Sequence, residues 1–236
     1  MQDRYTGDIG DYFKFGLLRE LAKGRRLGVA WYLFPDEGHN ADGKHVDYLQ
    51  DVDSWRPYDP ALFDSLKDIV ESDRRKVSSI EECRILGNAK FSREPLHAVD
   101  LTPAQRRNWR TNWFKNVQTD LENCDLVFAD PDNGLCDDDT YKRGQINLWK
   151  RIPLSEVRAL AEGKTAVIYH HNARYPGGHE KEISDLIGKL GPNTLAMRWR
   201  AYNSRTFFVV NPTSDMYELL ETFSDRWGPK AEFYSG

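Results

Sequence analysis

Cysteine is scarce. Cys83, Cys124 and Cys136 are the only three in 236 residues, and no two form a C-x-x-C pair. Their spacing supports neither a zinc knuckle nor a disulfide framework, so free thiols in a reducing cytoplasm are expected. No run approaches the ~20 apolar residues that a membrane helix needs. Met1-Gln2-Asp3-Arg4-Tyr5 opens no apolar signal segment. The dinucleotide fingerprint G-x-G-x-x-G is missing, which removes that kind of phosphate cradle. Internal repeats and low-complexity tracts are absent too. An excess of cations is also lacking: the formal net charge is -4, which argues against a generally basic nucleic-acid coat but allows a local basic patch.

What is present is a polar surface around an aromatic interior. Charged residues make up 30% and aromatics 12%, including 7 Trp, and the mean hydropathy is -0.70. Disordered chains lack such aromatic content, so a folded chain is expected. Its length suits one α/β domain over 1–236, with an inserted helical subdomain around 47–120. No motif bears on the oligomeric state.

The stretch Leu126-Val127-Phe128-Ala129-Asp130-Pro131-Asp132-Asn133-Gly134 organises the rest. Four apolar residues predict a short buried strand ending at Ala129 or Asp130, because Pro131 cannot donate to a ladder and Gly134 allows a sharp turn. Two carboxylates and an amide then crowd the strand's carboxyl end, the edge where open α/β sheets bind ligands. As an isolated motif, Asp-Pro-Asp-Asn-Gly is also ordinary turn chemistry.

Other elements follow from apolar spacing. A helix is predicted over Tyr12–Ala22, capped by Asp8 or Asp11 and stopped near Gly24. A strand is predicted over Leu27–Phe34. It leads into a polar loop, Asp36-Glu37-Gly38-His39 through His45, placed where cofactors are commonly held. An irregular connection over 47–60 precedes a helix at Ala61–Val70. A strand is expected within Ile80–Leu86, and Phe91–Leu96 leads to a helix starting at Thr102-Pro103. Later come a helix over Leu154–Ala161, a strand over Thr165–Tyr169 running into His170-His171, and a helix over Glu180–Leu190. An antiparallel pair, Leu195–Arg200 with Thr206–Asn211, and a helix over Met216–Trp227 complete the pattern.

Within the third of these helices, Arg106, Arg107, Arg110 and Lys115 alternate with Trp109, Trp113 and Phe114. Cations bind phosphate and rings stack on bases, which suggests a nucleic-acid contact. Equally, Trp109, Trp113 and Val117 share one face by i, i+4 spacing, the pattern of a core stripe with a charged outer face. Lys14, boxed in by Phe13 and Phe15, is either a phosphate contact or a side chain snorkelling over those rings. His170 and His171 must point to opposite faces of a strand, so at most one serves the carboxylate edge.

Three stretches together resemble the adenine-N6 methyltransferases acting on large-subunit ribosomal RNA. Gly7-Asp8-Ile9-Gly10-Asp11-Tyr12-Phe13-Lys14-Phe15-Gly16-Leu17-Leu18 resembles their amino-terminal segment, in which a glycine, an aspartate and a lysine precede a leucine-rich helix. Leu126–Pro131 looks like their catalytic strand with Asp-Pro-Pro-Tyr, and Thr206-Phe207-Phe208-Val209-Val210-Asn211-Pro212 resembles their final strand. The resemblance implies a Rossmann-like class I methyltransferase sheet, mostly parallel with an antiparallel carboxyl-terminal strand pair and helices on both faces. It implies S-adenosylmethionine as cofactor, held near Lys14, Asp36, Glu37, Gly38 and His39. It implies that Asp130 and the Pro131 carbonyl accept the two protons of a base amino group and steer its lone pair to the methyl, which is catalysis by positioning.

Two positions depart from that pattern. Asp132 stands where the family has proline. Asn133 stands where it has the stacking ring, a contact worth roughly 1–3 kcal/mol. No acidic residue is evident for the cofactor's ribose. The same residues suit a second chemistry, a divalent-metal-dependent phosphodiesterase or nucleotide hydrolase. There Asp130 and Asp132 would hold the ion and His170 or another histidine would activate water. A third reading is a non-catalytic nucleic-acid-binding module.

Overall fold

The computed structural model describes residues 1–37 and 43–235. In chain order the helices are α1 (Ile9–Leu21), α2 (Val52–Trp55), α3 (Pro60–Glu71), α4 (Val77–Glu82), α5 (Pro103–Asp120), α6 (Leu154–Leu160), α7 (Gly178–Leu190) and α8 (Met216–Trp227). The strands are β1 (Leu27–Ala30), β2 (Lys90–Ser92), β3 (Leu126–Ala129), β4 (Gly134–Cys136), β5 (Arg151–Pro153), β6 (Thr165–His171), β7 (Leu195–Trp199), β8 (Arg205–Val210) and β9 (Ala231–Ser235). Seven strands form one sheet in the order β2-β1-β3-β6-β8-β7-β9, and β4 pairs with β5 apart from it.

The first four strands of that order are parallel, and β8 runs antiparallel to both of its neighbours. The fold is therefore a Rossmann-like mixed α/β sheet with helices on both faces, as the family resemblance leads one to expect. Alternation builds the two faces. Val29, Phe128 and Val167 enter one core with residues of α1, α3 and α8, such as Phe13, Phe63 and Trp227. Ala30, Val127, Ala129 and Ile168 enter the other with residues of α5, α6 and α7, such as Trp113, Leu160 and Ile183. Leu62, Phe63, Leu66 and Ile69 of α3, in the 47–120 region, pack into the first core together with α1.

Several expected boundaries shift. β1 ends at Ala30 and does not reach Phe34, because Tyr32 takes a left-handed backbone (φ 48°) that no ladder continues. Trp31 and Tyr32 then turn into opposite cores. The strand expected within Ile80–Leu86 is instead α4 and its closing turn: Ile85 N–H bonds back to Ile80 O at 3.1 Å, with Arg84 at φ 50°. That 6→1 closure is a helix-end geometry, and it turns both isoleucines inward. The second parallel strand is Lys90–Ser92, within a segment whose sequence only suggested a lead-in to a helix. β9, not foreseen, extends the sheet beyond β7.

Candidate functional site

Strand direction decides which loops meet. β1, β3 and β6 end at one edge of the sheet. α1 leads into β1 and so has its amino end there, and the turn between β7 and β8 returns there because His171 pairs with Arg205. A cleft of about 530 Å³ opens at this edge, lined by Asp8, Asp11 and Lys14 of the α1 segment, Glu37, Asp130, Asp132 and Asn133, Lys150, His171, Asn203 and Arg205.

Lys14 lies at its floor. Its ammonium contacts Asp130 Oδ2 at 2.8 Å and Asp11 Oδ1 at 2.7 Å, all three side chains being buried. Burial alone would lower the lysine's pKa, but the two carboxylates outweigh it and hold the ammonium above its ordinary range. Burial pushes the Asp11 carboxyl up to about 6; Lys14 opposes this, while Asp8 and Asp130 add to it. The site depends on α1's start: Asp8 caps the helix by accepting from Asp11 N–H at 2.9 Å. Its other neighbour is Arg205, whose Nη1 lies 3.8 Å from Asp8 Oδ1. The guanidinium sits where a side chain on residue 10 would begin, so Gly10 makes room for it.

The Asp130–Gly134 segment is a tight turn. Asp130 N–H extends the ladder to Ala30 O, and the Pro131 carbonyl accepts from Gly134 N–H at 3.2 Å. Among the described residues Asp130 Oδ1 has no partner. Asp132 is held by the Met1 α-ammonium (2.7 Å) and the Gln2 amide (2.5 Å). Burial pushes its carboxyl up, but the ammonium, Gln2 and Lys150 prevail and keep it below the ordinary carboxylate range. The same ammonium donates to Tyr32 O at 3.0 Å and Asp130 O at 2.9 Å. Asn133 is exposed at the rim.

Of the residues expected to hold a cofactor, Lys14 and Glu37 face this cleft, Glu37 paired with Lys150. Asp36 lies on a separate groove with Pro95 and His97 and accepts from Arg4 N–H at 3.2 Å. Gly38 and His39 lie outside the described residues.

His170 does not join the cleft. Its Nδ1 accepts from Leu135 N–H at 3.0 Å, so the proton resides on Nε2, which meets Glu182 Oε1 at 3.2 Å. It clamps β4 to β6 and α7 on the far face. His171, one residue on, lines the cleft, as strand alternation requires. Arg110 is likewise not a surface cation: it is fully buried, pairs with Glu156 at 2.7 Å, bonds Tyr141 Oη at 2.9 Å and lies 4.4 Å over the Trp113 ring. Trp113 and Val117 are buried beside it, and Trp109 stacks on Trp149 at 5.0 Å, so the core-stripe reading of α5 holds. Arg107 and Lys115 are exposed and Arg106 is half-buried.

Sequence spacing did not single out Asp11, Lys150, Asn203 or Arg205. Asp11 had appeared only as a cap. Arg205 sat in a hairpin turn whose position depends on β8 reversing between two parallel strands. Among the described residues no three His, Cys, Asp or Glu side chains gather as a metal could require, and no helix is long and apolar enough to cross a membrane.

The class defined by this architecture is a Rossmann-like α/β protein with a cleft at the carboxyl edge of its parallel strands. No family model and no curated protein matches the chain. Among solved structures, the crystal structure of protein LPL1258 from Legionella pneumophila str. Philadelphia 1, family-model DUF519, is similar over 97% of this chain and 96% of that one, at 12% identity and a TM-score of 0.47.

Proposed function

We propose that the cleft transfers a methyl group from S-adenosylmethionine to a base amino group in nucleic acid. The observation that carries this reading is the meeting of Asp130 with Lys14 at the sheet edge, from segments 116 residues apart. Lys14 engages one carboxylate oxygen, which leaves Oδ1 to accept an amino proton. The Pro131 carbonyl, although already used in its turn, retains a second lone pair for the other. Together they would fix the nitrogen's orientation.

The set of acceptors suits the cofactor's amino-acid end. Tyr32 O, Asp130 O and Asp132 already surround one α-ammonium, that of Met1, and would take the cofactor's ammonium once Met1 moves aside. Glu37 and Lys150 border the same space. When bound, the cofactor supplies an electrophilic methyl on sulfonium sulfur; the protein's part is orientation. Exposed Arg107 and Lys115 suit phosphate contacts at the periphery.

The metal-hydrolase reading is weaker on this geometry. Asp130 and Asp132 each already have an ammonium partner within 2.8 Å, which a metal ion would have to displace, and His170 is turned away. The test is calorimetry with S-adenosylmethionine, followed by a radiolabelled-methyl assay on unmodified RNA and DNA. Binding, with label transfer lost in Asp130→Asn, is expected. No binding at millimolar cofactor by a folded protein would overturn the proposal.

A further inference from the structure

We propose that Tyr202 is the stacking surface for the target nucleobase, supplying from the β7–β8 turn the ring that Asn133 does not. This rests on the nucleobase reading above and names the residue that would make it work. Tyr202 is 56% exposed, among the few large apolar side chains left on the surface. Its backbone is left-handed at φ 56°, an arrangement rare for an aromatic residue, and it turns the ring out of the hairpin. The hydroxyl has no hydrogen-bond partner among the described residues. Exposed Tyr217, by contrast, packs edge-on against Phe233 at 5.0 Å. The ring contact of Tyr202 is His45, at 5.2 Å and a 48° tilt, and His45 lines the cleft.

The adjoining residues match the other parts of a nucleotide. Asn203 lines the same cleft and offers an amide to a base edge. Arg205 lies deeper, with Nε buried and unpartnered and Nη1 only loosely paired with Asp8 at 3.8 Å. That arginine can receive a phosphate oxygen. Aromatic ring, amide and cation within four residues, at the edge that holds Asp130, form a set for one unstacked nucleotide. A tyrosine serves cheaply because only two side-chain torsions need be fixed.

The test uses the full chain and 2-aminopurine ribonucleoside monophosphate, whose fluorescence falls on stacking. Wild type and Tyr202→Phe should quench it alike. Tyr202→Ala should lose the quench and bind about 5- to 150-fold more weakly, with unchanged S-adenosylmethionine affinity and thermal unfolding. Asp130→Asn should lose methyl transfer, while whatever nucleotide it still binds remains quenched by the ring. Equal quenching by wild type and Tyr202→Ala would overturn the stacking role. So would a wild type that binds S-adenosylmethionine but no purine nucleotide. Failure to bind S-adenosylmethionine would instead count against the methyltransferase reading, whatever the fluorescence shows.

Discussion

Lys14 Nζ and Asp130 Oδ2 lie 2.8 Å apart, with Asp11 on the lysine's other side, so one buried ammonium serves two buried carboxylates. Removing it leaves both without their counter-ion. Lys14→Met should destabilise the fold by about 3–5 kcal/mol, the usual penalty for stranding a buried charge. Adding Asp130→Asn should recover part of that loss. Urea midpoints of the single and double variants measure the coupling.

Gly10→Ala separates fold from site. Alanine favours a helix over glycine by about 1 kcal/mol. The group it displaces is the flexible end of Arg205, which can swing away. Unfolding should therefore change by no more than about 1 kcal/mol, while nucleotide affinity falls roughly tenfold or more through loss of a charge-assisted contact. Calorimetry and a thermal melt on the same sample test both halves.

Two arginines three residues apart on α5 should behave oppositely. Arg110→Met leaves buried Glu156 with only the more distant Arg143, at 3.5 Å, and should cost up to about 3–5 kcal/mol of stability, with no effect on any nucleic-acid binding that survives. Arg107→Ala should leave the melt unchanged and weaken binding across sequences, lowering the slope of log K against log salt by about 1. Filter binding at several salt concentrations reads the difference.

Asp11 gives a pH signature. Its carboxyl is raised from 3.8 to about 6 in the folded chain, so the folded state binds the proton more tightly than the unfolded state. Its favourable contribution is complete below the unfolded value and is lost as pH rises through about 6. Asp11→Asn should therefore become more stable relative to wild type as pH rises over that window. Denaturant titrations of both proteins at successive pH values test the sign.

Helix α8 was legible to the residue and strand β3 to within one residue at its end, because each has a clean apolar pattern and an abrupt stop. The edge that holds Asp130 was legible too, since Pro131 and Gly134 end the strand. Reach was harder to read. Tyr32 continues an apolar run yet leaves the ladder, for reasons of backbone conformation that composition does not carry. Ile80–Leu86 has β-branched residues at a spacing that suits a short helix as readily as a strand. Arg110 reads as a surface cation until Glu156, 46 residues away, arrives to pair with it. His170 and His171 show the same limit: alternation says that only one faces the cleft, but not which one.

β2 is three residues long, with exposed Lys90 at its start and Pro95 soon after Ser92. It is also an outer strand of the main sheet. A strand this short offers a neighbouring molecule few open backbone groups, and the charge and the proline discourage docking further. That flank should resist strand-by-strand self-association, which leaves a concentrated solution of the protein less prone to fibril growth from this side.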